Sequence, residues 1–311
     1  MNTLLEKLQR SWLLFRRSVQ VIFENPKLLL FPLVTLVLTL AIAAFFLAPV
    51  ALVLLAPHWV AGGPIQALAD QVGFVRIQKA GNFNVQLRPL GSAVLALMYL
   101  LNMFLATMAN VAFNSQILEA LNGKPVSIRR GIEVACSRWK PVLFWSLVAG
   151  IVGLIIRWIE QRFSFVGRLV AGLLGLAWST ASIFAIPIIA QDASVSNPFA
   201  ILTRSAATIK RTWGEMLAGY VGMQGTNLMV LWGSILFWIA TGVSALVLSN
   251  PWILLLGIPW LGMVIAYGYV TSIASRVYLC ALYLYASEGV VPGYYDTSMM
   301  GMGWKLKKAK G

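Results

Sequence analysis

Charge is what this chain has least of. Asp, Glu, Lys and Arg together supply 11% of its 311 residues, while apolar residues supply 59%. A soluble fold of that length needs charged residues spread along every amphipathic element. Here they come in clusters separated by long neutral runs. Imidazole is nearly absent too. With His58 as the single histidine, multi-histidine zinc sites and histidine-based triads are excluded. There is no G-x-S-x-G, P-loop, G-x-G-x-x-G or H-E-x-x-H motif. No reactive constellation remains, so the expectation is a protein that is not an enzyme and that uses no metal and no cofactor. The two cysteines, Cys136 and Cys280, fall near the expected cytoplasmic side, where a disulfide does not persist. Both read as small packing residues.

What is present is hydrophobic length. A crossing helix needs about 20 mostly apolar residues, and the neutral stretches supply six. Leu28 to Ala69 holds the first, ending near Ala56 and Pro57. Pro89 to Leu118 holds the second, Pro141 to Ile156 the third and Leu169 to Gln191 the fourth. The uncharged run from Met216 to Ser275 is split into a fifth and a sixth by the turn signal Ser249-Asn250-Pro251. The third is short, and it reaches full length only if Arg157 snorkels beside Trp158. A re-entrant hairpin is the alternative there. The expected fold class is therefore all-α, a polytopic membrane helix bundle of six transmembrane helices.

The net charge of +14 could point to nucleic acid, but the cations sit between apolar spans and form no interleaved basic-aromatic surface. Anionic phospholipid is the expected counter-charge. Of the 24 Lys and Arg residues, 17 lie at 7–27, 124–140, 204–211 and 305–310, and 6 lie in the alternate connections at 76–88 and 157–168. Since cytoplasmic loops carry the excess of Lys and Arg, both termini are placed in the cytoplasm and the protein in the bacterial inner membrane. About 27 amphipathic residues precede the first apolar run, a pattern unlike a cleaved signal peptide. Trp59, Trp139, Trp145, Trp158, Trp213 and Trp252 fall at expected membrane boundaries, with Trp178 and Trp232 deeper.

Apolar residues recur at helical spacing in three basic segments. Leu5, Leu8, Trp12, Phe15, Val19 and Ile22 form one stripe, Ile128, Ile132, Ala135 and Trp139 a second, and Phe199, Leu202, Ala206, Ile209 and Trp213 a third. Two of them follow a carboxylate spaced six residues from a proline: Glu119 with Pro125, and Asp192 with Pro198. These regularities predict three parallel hairpin repeats, about 1–118, 119–192 and 193–289, each opened by a basic amphipathic surface helix, with a basic tail over 290–311. Parallel units weaken a carrier reading, because many alternating-access carriers use inverted repeats.

The stretch Ile186 to Asp192, Asn197 to Ser205 and Lys210 to Gly214, together with Arg10-Ser-Trp12 and Asn25-Pro-Lys-Leu28, resembles a broad group of prokaryotic polytopic membrane proteins of unknown function. The resemblance implies six helices and carries over no functional residue.

Candidate sites follow from polar groups inside or beside the spans. Asn102, Gln224 and Asn227 reach the bilayer middle, with Asn110 and Asn114 nearer the cytoplasm. Buried amides either cement helix pairs or line a polar path. Glu119, Asp192 and Glu288 sit at inner helix ends, in reach of Arg130, Arg204 or Arg276. Arg276, about 37 Å of helix beyond Pro251, is expected to hold a lipid phosphate or Glu288. The cations Arg129, Arg130, Arg204, Lys210 and Arg211 either anchor their helices on anionic lipid or dock a cytoplasmic partner. Gly150, Gly153, Gly172, Gly175, Gly219, Gly222 and Gly225 serve close helix packing or a homo-oligomer interface. The first functional reading is a channel-like or transport-associated component. The second is a membrane scaffold or accessory subunit, and the third a lipid-modifying enzyme.

Overall fold

The computed structural model describes residues 2–55, 63, 76–77, 85–86, 89–163 and 165–295, with backbone alone for 2–12, 48–55, 76–77, 85–86, 89, 165 and 211–226. His58, Trp59 and the 290–311 tail beyond Tyr295 lie outside the described residues, as do the side chains of Arg211, Trp213 and Gln224. Among the described residues the helices, in chain order, are α1 (Asn2–Glu24), α2 (Leu30–Leu55), α3 (Pro89–Leu121), α4 (Ile128–Ser137), α5 (Trp139–Arg162), α6 (Phe165–Ala181), α7 (Ala185–Gln191), α8 (Pro198–Val247) and α9 (Gly257–Glu288). The 58–87 loop contributes one antiparallel pair of two-residue strands, β1 (Arg76–Ile77) and β2 (Val85–Gln86).

Six helical segments are long and apolar enough to cross a membrane. The chain is a multi-pass membrane protein. The third crossing is a full-length helix: α5 runs 24 residues, about 36 Å at 1.5 Å per residue, against a hydrocarbon core of about 30 Å. Successive spans pack on each other, α2 on α3, α5 on α6 and α8 on α9.

Local chemistry sets the breaks. The fourth span divides because Pro187 has no N–H and its ring crowds the preceding turn. The chain turns through Ser182 to Phe184, and the Phe184 N–H at the start of α7 donates to Ser205 Oγ on α8 at 3.1 Å. The fifth and sixth separate at Ser249-Asn250-Pro251. Asn250 Oδ1 accepts from the Trp252 amide at 3.1 Å, and Pro251 opens a 3-10 turn into α9. Gly123 and Gly289 take the left-handed conformation, with φ of 72° and 68°, just past the ends of α3 and α9.

The buried residues concentrate at one end of the molecule. Leu14, Phe15 and Ile22 of α1 join Val111 to Leu121 of α3, Ile188 and Ile189 of α7, Ile201 of α8 and Ile273 to Leu284 of α9. Towards the far end the spans expose Leu40, Leu97, Leu154, Leu173, Leu236 and Ile265. Such a surface suits acyl chains and would be untenable in water.

The amphipathic segments pack differently from their expected stripes. On α4 the buried positions are Gly131 and Ala135, while Ile132 and Trp139 stay about half exposed. A Cβ on Gly131 would lie 3.0 Å from the Ala112 carbonyl and 3.1 Å from the Phe31 ring, so the smallest residue sets the contact with α3. On α8 the seated residues are Ile201, Ser205 and Ile209, and Phe199 points outward. The third basic segment is no separate helix. It runs into its span as one 50-residue α8. Trp145 is buried and stacks on Trp178 at 5.9 Å, while Trp232 faces outward, the reverse of the expected boundary and interior placements. Of the cysteines, Cys280 is buried but Cys136 is exposed.

Candidate functional site

Two joints place cations at the packed end. At the first, α3 ends, Gly123 turns the chain, and Ser127 caps α4 by accepting from the Arg130 amide. The fully buried Gln116 accepts from the Ser127 amide at 2.8 Å, and Arg130 pairs with Glu119 at 3.5 Å. At the second, Asp192 Oδ1 accepts from the amide and hydroxyl of Ser194, Asn197 caps α8, and Arg204 pairs with Asp192. The Ser194 bonds and then Arg204 hold the Asp192 carboxyl down to about 2. Arg129 remains 90% exposed beside Glu133, and Lys210 is exposed as well.

Beneath α4 lies an apolar cleft of about 180 Å³ between α2, α3 and α4, lined by Phe31, Val34, Leu105, Met108, Ile128 and Ile132 among others. Arg129 and Arg130 stand on the helix that roofs it.

One expected pairing is corrected. Glu288 does not meet Arg276, because twelve residues of one helix hold them about 18 Å apart. Glu288 accepts from Gln191, and Arg276 donates to Asn110 at 2.8 Å while lying over the Phe113 ring. Arg276, although exposed, thus joins α9 to α3. Among the described residues Asn102 donates to the Met98 carbonyl of its own helix. Asn110 and Asn114 do cement helices, the latter by accepting from Cys280 Sγ at 3.1 Å.

Asn227 belongs to a second cleft, of about 480 Å³, between α8 and α9. It is lined by Ser234, Tyr267, Gly268, Thr271, Ser272 and Ser275 together with apolar residues. The Tyr267 hydroxyl and the Thr271 Oγ1 are buried there without a hydrogen-bond partner. Among the described residues no group of three His, Cys, Asp or Glu is placed to hold a metal ion.

One family model, described as a family of unknown function (DUF6159), matches residues 90–293. The chain belongs to this family. The DUF6159 match runs from the start of α3 past the end of α9, and so contains both carboxylate–arginine joints and the hydroxyl-lined cleft. No curated protein and no solved structure matches the chain.

Some contacts in this DUF6159 member had no sequence signal. Arg138 donates to the Ile189 carbonyl at 2.9 Å and to the Gln191 carbonyl at 3.4 Å, capping the end of α7. The Tyr295 phenol, raised by burial, meets Ser18 of α1 at 2.8 Å. Both bonds join residues far apart in the chain.

Proposed function

We propose that the protein is a non-enzymatic scaffold or accessory component of the bacterial inner membrane. Both termini face the cytoplasm, and the packed end organises anionic phospholipid through exposed cations. The observation that carries this reading is the concentration of the core at the same end as Arg129, Arg130 and Lys210, on segments clamped by the two carboxylate–arginine joints. Rigid helix ends hold the cations at headgroup height, and the apolar cleft roofed by α4 offers a seat for an acyl chain. The paired joints also support three parallel units, with the continuous α8 as a departure in the third. Orientation rests on the distribution of Lys and Arg.

The test is native mass spectrometry of the protein extracted from nanodiscs of mixed phosphatidylglycerol and phosphatidylcholine. Wild type should retain phosphatidylglycerol preferentially. Arg129→Glu, Arg130→Glu and Lys210→Glu combined should cut that preference at least tenfold, since each cation near an anionic surface contributes about 1 kcal/mol. An unchanged preference would overturn the reading. A channel-like role has one observation in its favour, the place of Asn227 in a cleft that several hydroxyl groups also line. Liposome flux abolished by Asn227→Leu would support it.

A further inference from the structure

The cleft between α8 and α9 has an uneven supply of hydrogen bonds. Threonine in a helix ordinarily donates to the carbonyl one turn back, and Thr35, Thr39, Thr107, Thr203, Thr208 and Thr241 all do so. Thr271 does not. It is 2% exposed, lines the cleft, and keeps its hydroxyl proton unused. Tyr267, one turn earlier on the same face, has the same unused proton. Each such buried group costs about 1–3 kcal/mol if nothing meets it.

The serines around them are in the opposite condition. Ser234, Ser272 and Ser275 spend their protons on the carbonyls of Val230, Tyr269 and Thr271. Ser234 Oγ already accepts from Trp260 Nε1 at 3.4 Å, so Ser272 and Ser275 are the ones that offer oxygen lone pairs toward the cleft. The walls therefore present two donors seeking acceptors, Tyr267 and Thr271, and hydroxyl oxygens able to receive a donor.

Charge narrows the ligand further. No residue from Met216 to Ser275 is charged, so neither helix offers a cation at this level. Arg276, the next residue, is directed to Asn110 and Phe113 on α3. A phosphate placed here would be desolvated without a counter-charge. Water-soluble solutes are also poorly served, because the helices forming the cleft expose Leu231, Leu261 and Ile265 to acyl chains.

We infer that the α8–α9 cleft binds the uncharged head of a diacylglycerol-type lipid. The two ester carbonyls accept from Tyr267 and Thr271, the free hydroxyl donates to a serine oxygen, and the acyl chains leave between the helices into the bilayer. This site is separate from the anionic-lipid surface, and its success or failure does not depend on that reading.

The experiment reconstitutes the full chain in phosphatidylcholine nanodiscs containing 1,2-dioleoylglycerol and phosphatidylglycerol, and counts retained lipids by native mass spectrometry. Wild type is expected to retain one dioleoylglycerol per chain. Thr271→Val with Tyr267→Phe should lower that retention at least fivefold and leave phosphatidylglycerol retention unchanged. Gly268→Leu is the second variant. A Cβ at Gly268 meets nothing within 4 Å, so the leucine side chain starts into the open cleft and should abolish retention, with the thermal midpoint measured alongside to show that the variant is folded. Dioleoylglycerol retention unaffected by Gly268→Leu would overturn the site. So would retention of no dioleoylglycerol by wild type, or cross-linking of Ser275→Cys between two chains, which would give the cleft to a second copy.

Discussion

Arg138 and Arg276 are cations whose guanidinium groups are spent inside the fold. Arg138 holds two carbonyls at the end of α7, where the helix dipole favours positive charge. Arg138→Ala is expected to cost about 1.5–3 kcal/mol, the range for hydrogen bonds to a charged group, seen as a lower thermal midpoint in detergent. Arg138→Lys should recover only part of it, since one ammonium cannot span both carbonyls. Asp192 gives a pH signature. Its carboxyl is depressed from 3.8 to about 2, so the stabilisation is complete above pH 4 and is lost as pH falls towards 2. With the pair partly exposed, about 1 kcal/mol is at stake. Acid unfolding of Asp192→Asn should lack that component, and an identical profile would remove the joint's role. The Glu119 and Asp192 pairings were legible because each carboxylate lies a short loop away from its arginine. Arg276 was misassigned because its partner, Asn110, is 166 residues away, and nothing in local spacing marks such a meeting.

At the scale of elements, helix existence followed from neutral length, and even the doubtful third span proved a whole helix. The seating of the amphipathic helices did not follow. Periodicity marks an apolar stripe, but in a membrane protein apolar residues serve lipid as well as core, so Ile132 and Phe199 point outward while Gly131 and Ser205 make the contacts. Gly131→Leu should therefore lift α4 from α3 and destabilise by about 1–3 kcal/mol, the usual cost of overpacking. Gly172→Ala is the control, because its Cβ meets nothing within 4 Å and alanine is the better helix former. Thermal scans of the two variants should diverge. Equal midpoints would mean that the α3–α4 contact does not constrain the fold. The two clefts were not legible either, since each is made by side chains from different helices.

For the whole molecule, the account joins a packed end, read as cytoplasmic, to six spans whose far ends face lipid. The anionic-lipid proposal depends on that polarity, because the cations at Arg129 and Arg130 meet the anionic inner leaflet only if the packed end is inside. The most direct measurement is labelling of single cysteines with a membrane-impermeant maleimide in cells, in a background with the exposed Cys136 replaced. Cysteines at Gly63 and Ser249 should react in intact cells. A cysteine at Asn122 should react only after permeabilisation. Reaction of Asn122→Cys in intact cells, with Gly63→Cys protected until the membrane is opened, would contradict the orientation and the functional reading built on it.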